Sequence, residues 1–110
     1  MAGLTERENQ AVNDLVQRLR RRLGEELIEI RLYGSKSRRS DSPESDVDLA
    51  IVVRTQTLAV RHCIFEEVSN VILEHDVLLD VHIVDERHLQ ELRSLGAPYA
   101  KRLDEEGVKL

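Results

Sequence analysis

Asp46, Val47 and Asp48 place two carboxylates one residue apart at the head of an apolar, β-branched run that continues to Val53. Ten residues, Lys36 to Ser45, separate them from the pair Gly34-Ser35 upstream. If Asp46 to Val53 is a strand, its period of two sends both aspartates to one face, with Cα atoms roughly 7 Å apart. Two carboxylates that close repel each other unless a cation lies between them. Hard oxygen donors of this kind suit Mg²⁺, which keeps its remaining positions for water and phosphate. The chemistry such a pair can do is metal-assisted work on a phosphate ester or anhydride.

The upstream pair fits a phosphate. Gly34 allows a backbone turn and close approach of a ligand that a Cβ would obstruct. Ser35 offers a hydroxyl and an amide at the start of an expected short helical turn through Arg39, and free amides there form an anion site to which Lys36 and Arg38 add charge. Ser40 to Ser45 is polar and turn-rich, hence a surface loop leading back to the second strand. The Gly-x-x-x-x-Gly-Lys pattern of a Walker A loop is missing. A third carboxylate, Asp80, sits inside Val77 to Val84, whose alternation puts Val77, Leu79, Val81 and Ile83 on one face and Asp80 and His82 on the other. An aspartate in mid-strand is costly to bury without a partner. Should this strand lie beside the second, Asp80 completes a three-carboxylate cluster. His82 reads as a hydrogen-bonding partner of that cluster rather than a metal ligand, and His62, His75 and His88 read as solvated or capping residues.

Positioning these groups needs strands and helices that the remaining pattern supplies. Leu27 to Tyr33 alternates, with Ile28, Ile30 and Leu32 on one face, and runs straight into Gly34. Thr5-x-x-Glu8 is a capping box ahead of a helix whose stripe is Val12, Leu15, Val16, Leu19 and Leu23, ending near Gly24. A second long helix is predicted from Leu58 to His75, with Ile64, Phe65, Val68, Val71 and Ile72 facing the core. Asp85 can cap a third helix carrying Leu89 and Leu92, and Pro98 suits the first turn of a fourth, carrying Tyr99, Ala100 and Leu103 and closed by Gly107. Only Tyr33, Phe65 and Tyr99 are aromatic. No stacking platform for a base follows from their positions.

The whole chain sets outer limits. Its 110 residues suffice for one domain, 1–110, with a real core and no room for a separate nucleic-acid-holding module. A net charge of −5 argues against stable nucleic-acid binding. Arg18, Arg20, Arg21 and Arg22 form a local basic run that reads first as a solvated helix face. The lone Cys63 excludes an internal disulfide framework, and with no signal-peptide pattern and no apolar run of membrane-spanning length the expected location is cytoplasmic.

Gly34-Ser35, the ten-residue spacer, Asp46-x-Asp48 and the later strand aspartate Asp80 together resemble the signature of the DNA polymerase beta superfamily of nucleotidyltransferases, and the short length resembles its minimal nucleotidyltransferase branch. The resemblance spans nearly the whole chain. It implies an α+β nucleotidyltransferase fold, a small mixed sheet with helices packed on it, with ATP or another NTP as donor and two Mg²⁺ ions held by Asp46, Asp48 and Asp80. The triphosphate grip carries over to Gly34 and Ser35, with Arg38 at the place of a frequent basic residue. Lys36 departs from the arginine of many members, and Arg39 from their glycine. Small proteins of this branch commonly act as antitoxins beside a helical HEPN toxin, so the resemblance implies AMP transfer to a tyrosine, serine or threonine hydroxyl on that partner. Asp80, set apart from the Asp46/Asp48 pair, is the candidate general base. Two other readings stand beside it: an antitoxin that neutralises its partner by occupation alone, and a subunit that modifies an aminoglycoside-like small molecule. Homo- or hetero-oligomeric assembly is compatible with each.

Overall fold

In a computed structural model of the protein, described over residues 3–34 and 46–110, the elements run α1 (Glu6–Leu23), a 3₁₀ turn (Gly24–Glu26), β1 (Leu27–Tyr33), β2 (Val47–Val53), α2 (Leu58–His75), β3 (Leu79–Asp85), α3 (Glu86–Ser94), α4 (Pro98–Glu106) and β4 (Val108–Lys109). The expected helical turn after Gly34, the loop after it, and the side chains of Ser35, Lys36 and Arg38 lie outside the described residues. Among those described, the four strands form one mixed sheet of order β3-β2-β1-β4. β1 is antiparallel to β2 and to β4, whereas β2 and β3 run parallel, with α2 as the crossover between them. This is the small mixed α+β sheet that the family resemblance implies.

Local chemistry accounts for the element ends. The Thr5 side chain accepts from the Glu8 amide at 3.1 Å and Glu8 Oε1 accepts from the Thr5 amide at 2.9 Å, so the capping box satisfies two amides that the first turn of α1 cannot pair. Thr57 caps α2 through the Val60 amide at 3.1 Å. Asp85 caps α3 through the His88 amide at 2.7 Å. α4 starts on Pro98, whose missing N–H costs nothing there, and ends at Gly107. β3 starts two residues later than the alternation suggests: Val77 is still buried, but Leu78 points outward at 65% exposure before the ladder with β2 begins at Leu79.

Each face of the sheet carries its own core. On one face Ile30, Leu32, Val47, Leu49, Ile51 and Val53 pack against Val12, Leu15 and Leu19 of α1 and Ile64, Val68 and Val71 of α2. On the other, Ala50, Val52 and Val84 are covered by Leu89 of α3 and by Ala100 and Leu103 of α4. β2 is thus buried on both sides along most of its length, as a central strand next to a parallel neighbour must be. The second core covers only the later part of β2 and β3. Their leading ends, at Asp48 and Asp80, stay open on that face.

Three expectations are corrected by the packing. Phe65 is not a core residue of α2: it is 41% exposed, with the Arg61 guanidinium 5.5 Å from its ring centre. The buried stripe runs through Cys63, Ile64, Glu67, Val68 and Val71, and Phe65, one residue past Ile64, is turned about 100° away from it. The basic run of α1 is not simply solvated either. Arg18 Nε meets Asp14 Oδ1 at 3.0 Å and its guanidinium also reaches Glu67 and Glu74, while Arg22 Nη1 lies 2.7 Å from Glu66 and 3.0 Å from Glu67. His75 ends α2 as expected, but rather than being solvated or capping it bonds Asp14 of α1 at 2.8 Å. These pairs lash α1 to α2 over their shared hydrophobic contact.

Candidate functional site

β2 and β3 pair in the register that sets Asp48 directly opposite Asp80 and Ala50 opposite His82. Because the two strands are parallel and in step, alternation delivers both aspartates to the same face. There Asp48 is half-buried beside Tyr33, its register partner on β1, while the Asp80 side chain is 54% exposed. Burial raises the Asp48 carboxyl above the usual carboxylate range, and the charge of Asp80, a carboxyl–carboxyl hydrogen bond with it, and the charge of Asp46 push the same way. Two acids this close share a proton or a cation more readily than they ionise together.

Gly34 closes the site from the end of β1. Its backbone has φ +71°, in the left-handed region, and a Cβ there would run into Asp48 Oδ2 and come within 3.2 Å of Asp48 Cγ. No other residue type leaves the Asp48 carboxylate where it is. Asp46 sits just ahead of β2, exposed, near enough for its charge to reach Asp48. Among the described residues no three carboxylate, histidine or cysteine side chains converge into a metal cage. The structure brings together Asp48 and Asp80, and leaves Asp46 at the rim. His82 Nε2 is 3.6 Å from Asp80 Oδ2 and edge-on to the Tyr33 ring, with 5.8 Å between ring centres.

The donor set fits a divalent cation. It consists of hard carboxylate oxygens, one of them held by its surroundings in a state that a positive charge would relieve, at the floor of a space that only glycine leaves clear. Sequence spacing gave no sign of the aromatic wall beside it. Tyr33 and Tyr99 stand edge to face with ring centres 6.3 Å apart, and burial, followed by the charges around it, raises the Tyr33 phenol above its usual range. Tyr99 comes from α4, read from the sequence only as a core helix. What placed it here is the packing of α4 onto β1 and β2.

No protein-family model matches the sequence, and no curated protein matches it. Solved structures do. One, a crystal structure of the toxin-antitoxin MntA-HpeT carrying a tyrosine-to-alanine mutation, aligns over 90% of this chain and 70% of its own with 24% identity and a TM-score of 0.56. Another, of the same pair with two aspartates changed to glutamate, aligns over 88% of this chain and 69% of its own, with 21% identity and a TM-score of 0.54. The chain therefore has the α+β fold found in the MntA-HpeT toxin-antitoxin structures.

Proposed function

We propose that residues 1–110 form a single Mg²⁺-dependent nucleotidyltransferase domain that moves AMP from ATP to a hydroxyl of a helical HEPN toxin and so acts as its antitoxin. The observation that carries this is the cross-strand pair Asp48 and Asp80 set against the Gly34 turn, in a fold shared with a toxin-antitoxin pair. The double mutant among the MntA-HpeT structures alters two aspartates spaced by a single residue, the spacing of Asp46 and Asp48 here.

In this reading Asp46, Asp48 and Asp80 hold the metal, and Gly34, Ser35, Lys36 and Arg38 hold the triphosphate. Bound Mg²⁺ supplies charge neutralisation at the phosphates and lowers the pKa of a ligated hydroxyl. Asp80, the more open of the two paired carboxylates, takes the proton of the acceptor hydroxyl as its oxygen attacks the α-phosphorus. The new O–P bond forms as the bond to the bridging oxygen of the β-phosphate breaks, and pyrophosphate leaves with the electron pair. Asp48, beside Tyr33 and in the space that Gly34 leaves clear, faces Asp80 across the strand pair and presents the second carboxylate to the metal.

The test is transfer of label from α-phosphate-labelled ATP with Mg²⁺, with and without the protein encoded by the neighbouring reading frame. Label should appear on that partner, disappear in Asp46→Ala, and fall by about 10²-fold or more in Asp80→Asn. A tight complex that never becomes labelled would establish neutralisation by occupation instead. Full transfer by Asp80→Asn would remove it as the base.

A further inference from the structure

A cleft of about 270 Å³ opens beside the carboxylate pair, between the end of β1 and α4, lined by Tyr33, Gly34, Tyr99, Arg102, Leu103 and Glu106. We propose that this cleft is the nucleobase subsite, which takes the purine of the donor nucleotide against Tyr33 and Tyr99. The proposal rests on the nucleotidyltransferase reading above and extends it to residues that neither spacing nor motif marks.

Position argues first. Gly34 belongs to both the cleft and the carboxylate site, and Tyr33 is the register partner of Asp48. A nucleotide whose phosphates lie at the carboxylates therefore enters this cleft with its sugar and base, without spanning any other element. Size argues next: the volume falls just under the roughly 300–1,000 Å³ of small-molecule sites, enough for a planar base and too little for a folded partner.

Chemistry argues third. Two phenol rings meet at a wall of the cleft, and an aromatic face is what a base stacks on irrespective of its identity. The Tyr99 hydroxyl is shut off from solvent and has no hydrogen-bond partner among the described residues. That hydroxyl points into the protein rather than into the cleft, so it is the Tyr99 ring, not its oxygen, that the cleft offers to a base. Arg102 forms no ion pair among the described residues and is therefore free to lay its guanidinium plane on a base, while Glu106 on the next turn of α4 offers an acceptor for an amine.

The experiment is calorimetric titration of the protein with Mg-ATP and, separately, with Mg-tripolyphosphate, for the native chain and for Tyr99→Leu, Tyr99→Phe and Arg102→Gln. Native protein should bind ATP more tightly than tripolyphosphate. Tyr99→Leu, which keeps the apolar bulk that packs α4 but loses the ring, should weaken ATP about tenfold while leaving tripolyphosphate unchanged. Tyr99→Phe should restore most of that loss, and Arg102→Gln, on the exposed side of α4, should weaken ATP several-fold without touching tripolyphosphate. Equal affinity of native protein for the two ligands, or a parallel loss of both in Tyr99→Leu, overturns the base subsite and leaves the nucleotide reading in place. Native protein that binds neither ligand overturns both.

Discussion

Gly34 and Asp48 constrain each other: the glycine has no side chain so that the carboxylate can occupy the space, and the carboxylate is held partly out of water by that contact and by Tyr33. The consequence is a metal-free site that is electrostatically unfavourable. Because the folded-state pKa of Asp48 is raised, first by burial and then by Asp80, this group contributes stability only when protonated, and that contribution is lost as the pH rises past its ordinary 3.8. At neutral pH it therefore works against the fold. Asp48→Asn is expected to raise the melting temperature of metal-free protein by a few degrees. Added Mg²⁺ at about a hundred times its Kd should stabilise the native chain by about 2.7 kcal/mol, roughly 10 °C or more, and Asp48→Asn far less. Thermal melts with EDTA and with Mg²⁺ check both; a variant that melts lower in EDTA, or gains as much from Mg²⁺, would contradict the assignment.

At the scale of elements, everything hinges on β2. It pairs antiparallel with β1, which brings Gly34 to Asp48, and parallel with β3, which brings Asp80 to Asp48. A slip of one residue against β3 would turn Asp80 into the α1–α2 core and the apolar face of β3 outward, so hydrophobic burial enforces the register that the chemistry uses. Leu49, fully buried between Asp48 and Ala50, is the residue that anchors it. Leu49→Ala should cost about 2–5 kcal/mol, measured by urea denaturation, and should reduce Mg²⁺ affinity as well. A loss of stability with unchanged metal affinity would show that the register survives without that side chain.

At the scale of the whole molecule, acid sensitivity comes from pairs that tie elements together. Hydrogen bonding to His75 is the largest influence lowering the Asp14 carboxyl, hydrogen bonding to Arg22 the largest for Glu67, and to Arg93 the largest for Asp104. Carboxylates held below their ordinary values, 3.8 for Asp14 and 4.5 for Glu67, contribute stability that is present above those values and lost as the pH falls through them. Asp14 and Asp104 are partly exposed, so their contributions are small, whereas the Glu67 side chain is buried between α1 and α2. Asp48 has the opposite sign over the same range and masks part of the loss. Stability measured from pH 6 down to 3 should fall gently in the native chain and more steeply in Asp48→Asn. Parallel curves would mean that Asp48 is not the titrating group. Among the described residues, no helix is long and apolar enough to cross a membrane.

The sequence by itself determined which strand faces exist and which residues share them, because alternation is a local property: Asp80 and His82 had to leave the face of Leu79, Val81 and Ile83 wherever the strand went. It determined the helix starts for the same reason, since Thr5, Thr57, Asp85 and Pro98 act within one turn of themselves. Strand neighbours are not local. That β3 lies beside β2, in step and parallel, depends on α2 crossing over and burying Ile64, Val68 and Val71 against the sheet, and only this made a cross-strand pair of Asp48 and Asp80. The aromatic cleft lies further still beyond the reach of spacing. Tyr33 and Tyr99 meet because Ala100 and Leu103 bury α4 on Ala50 and Val52, so a rule about apolar surface, blind to nucleotides, decides where the rings stand. Phe65 shows the converse: one position along a helix from Ile64, it was turned out of the core by 3.6-residue geometry that a run of apolar letters does not resolve.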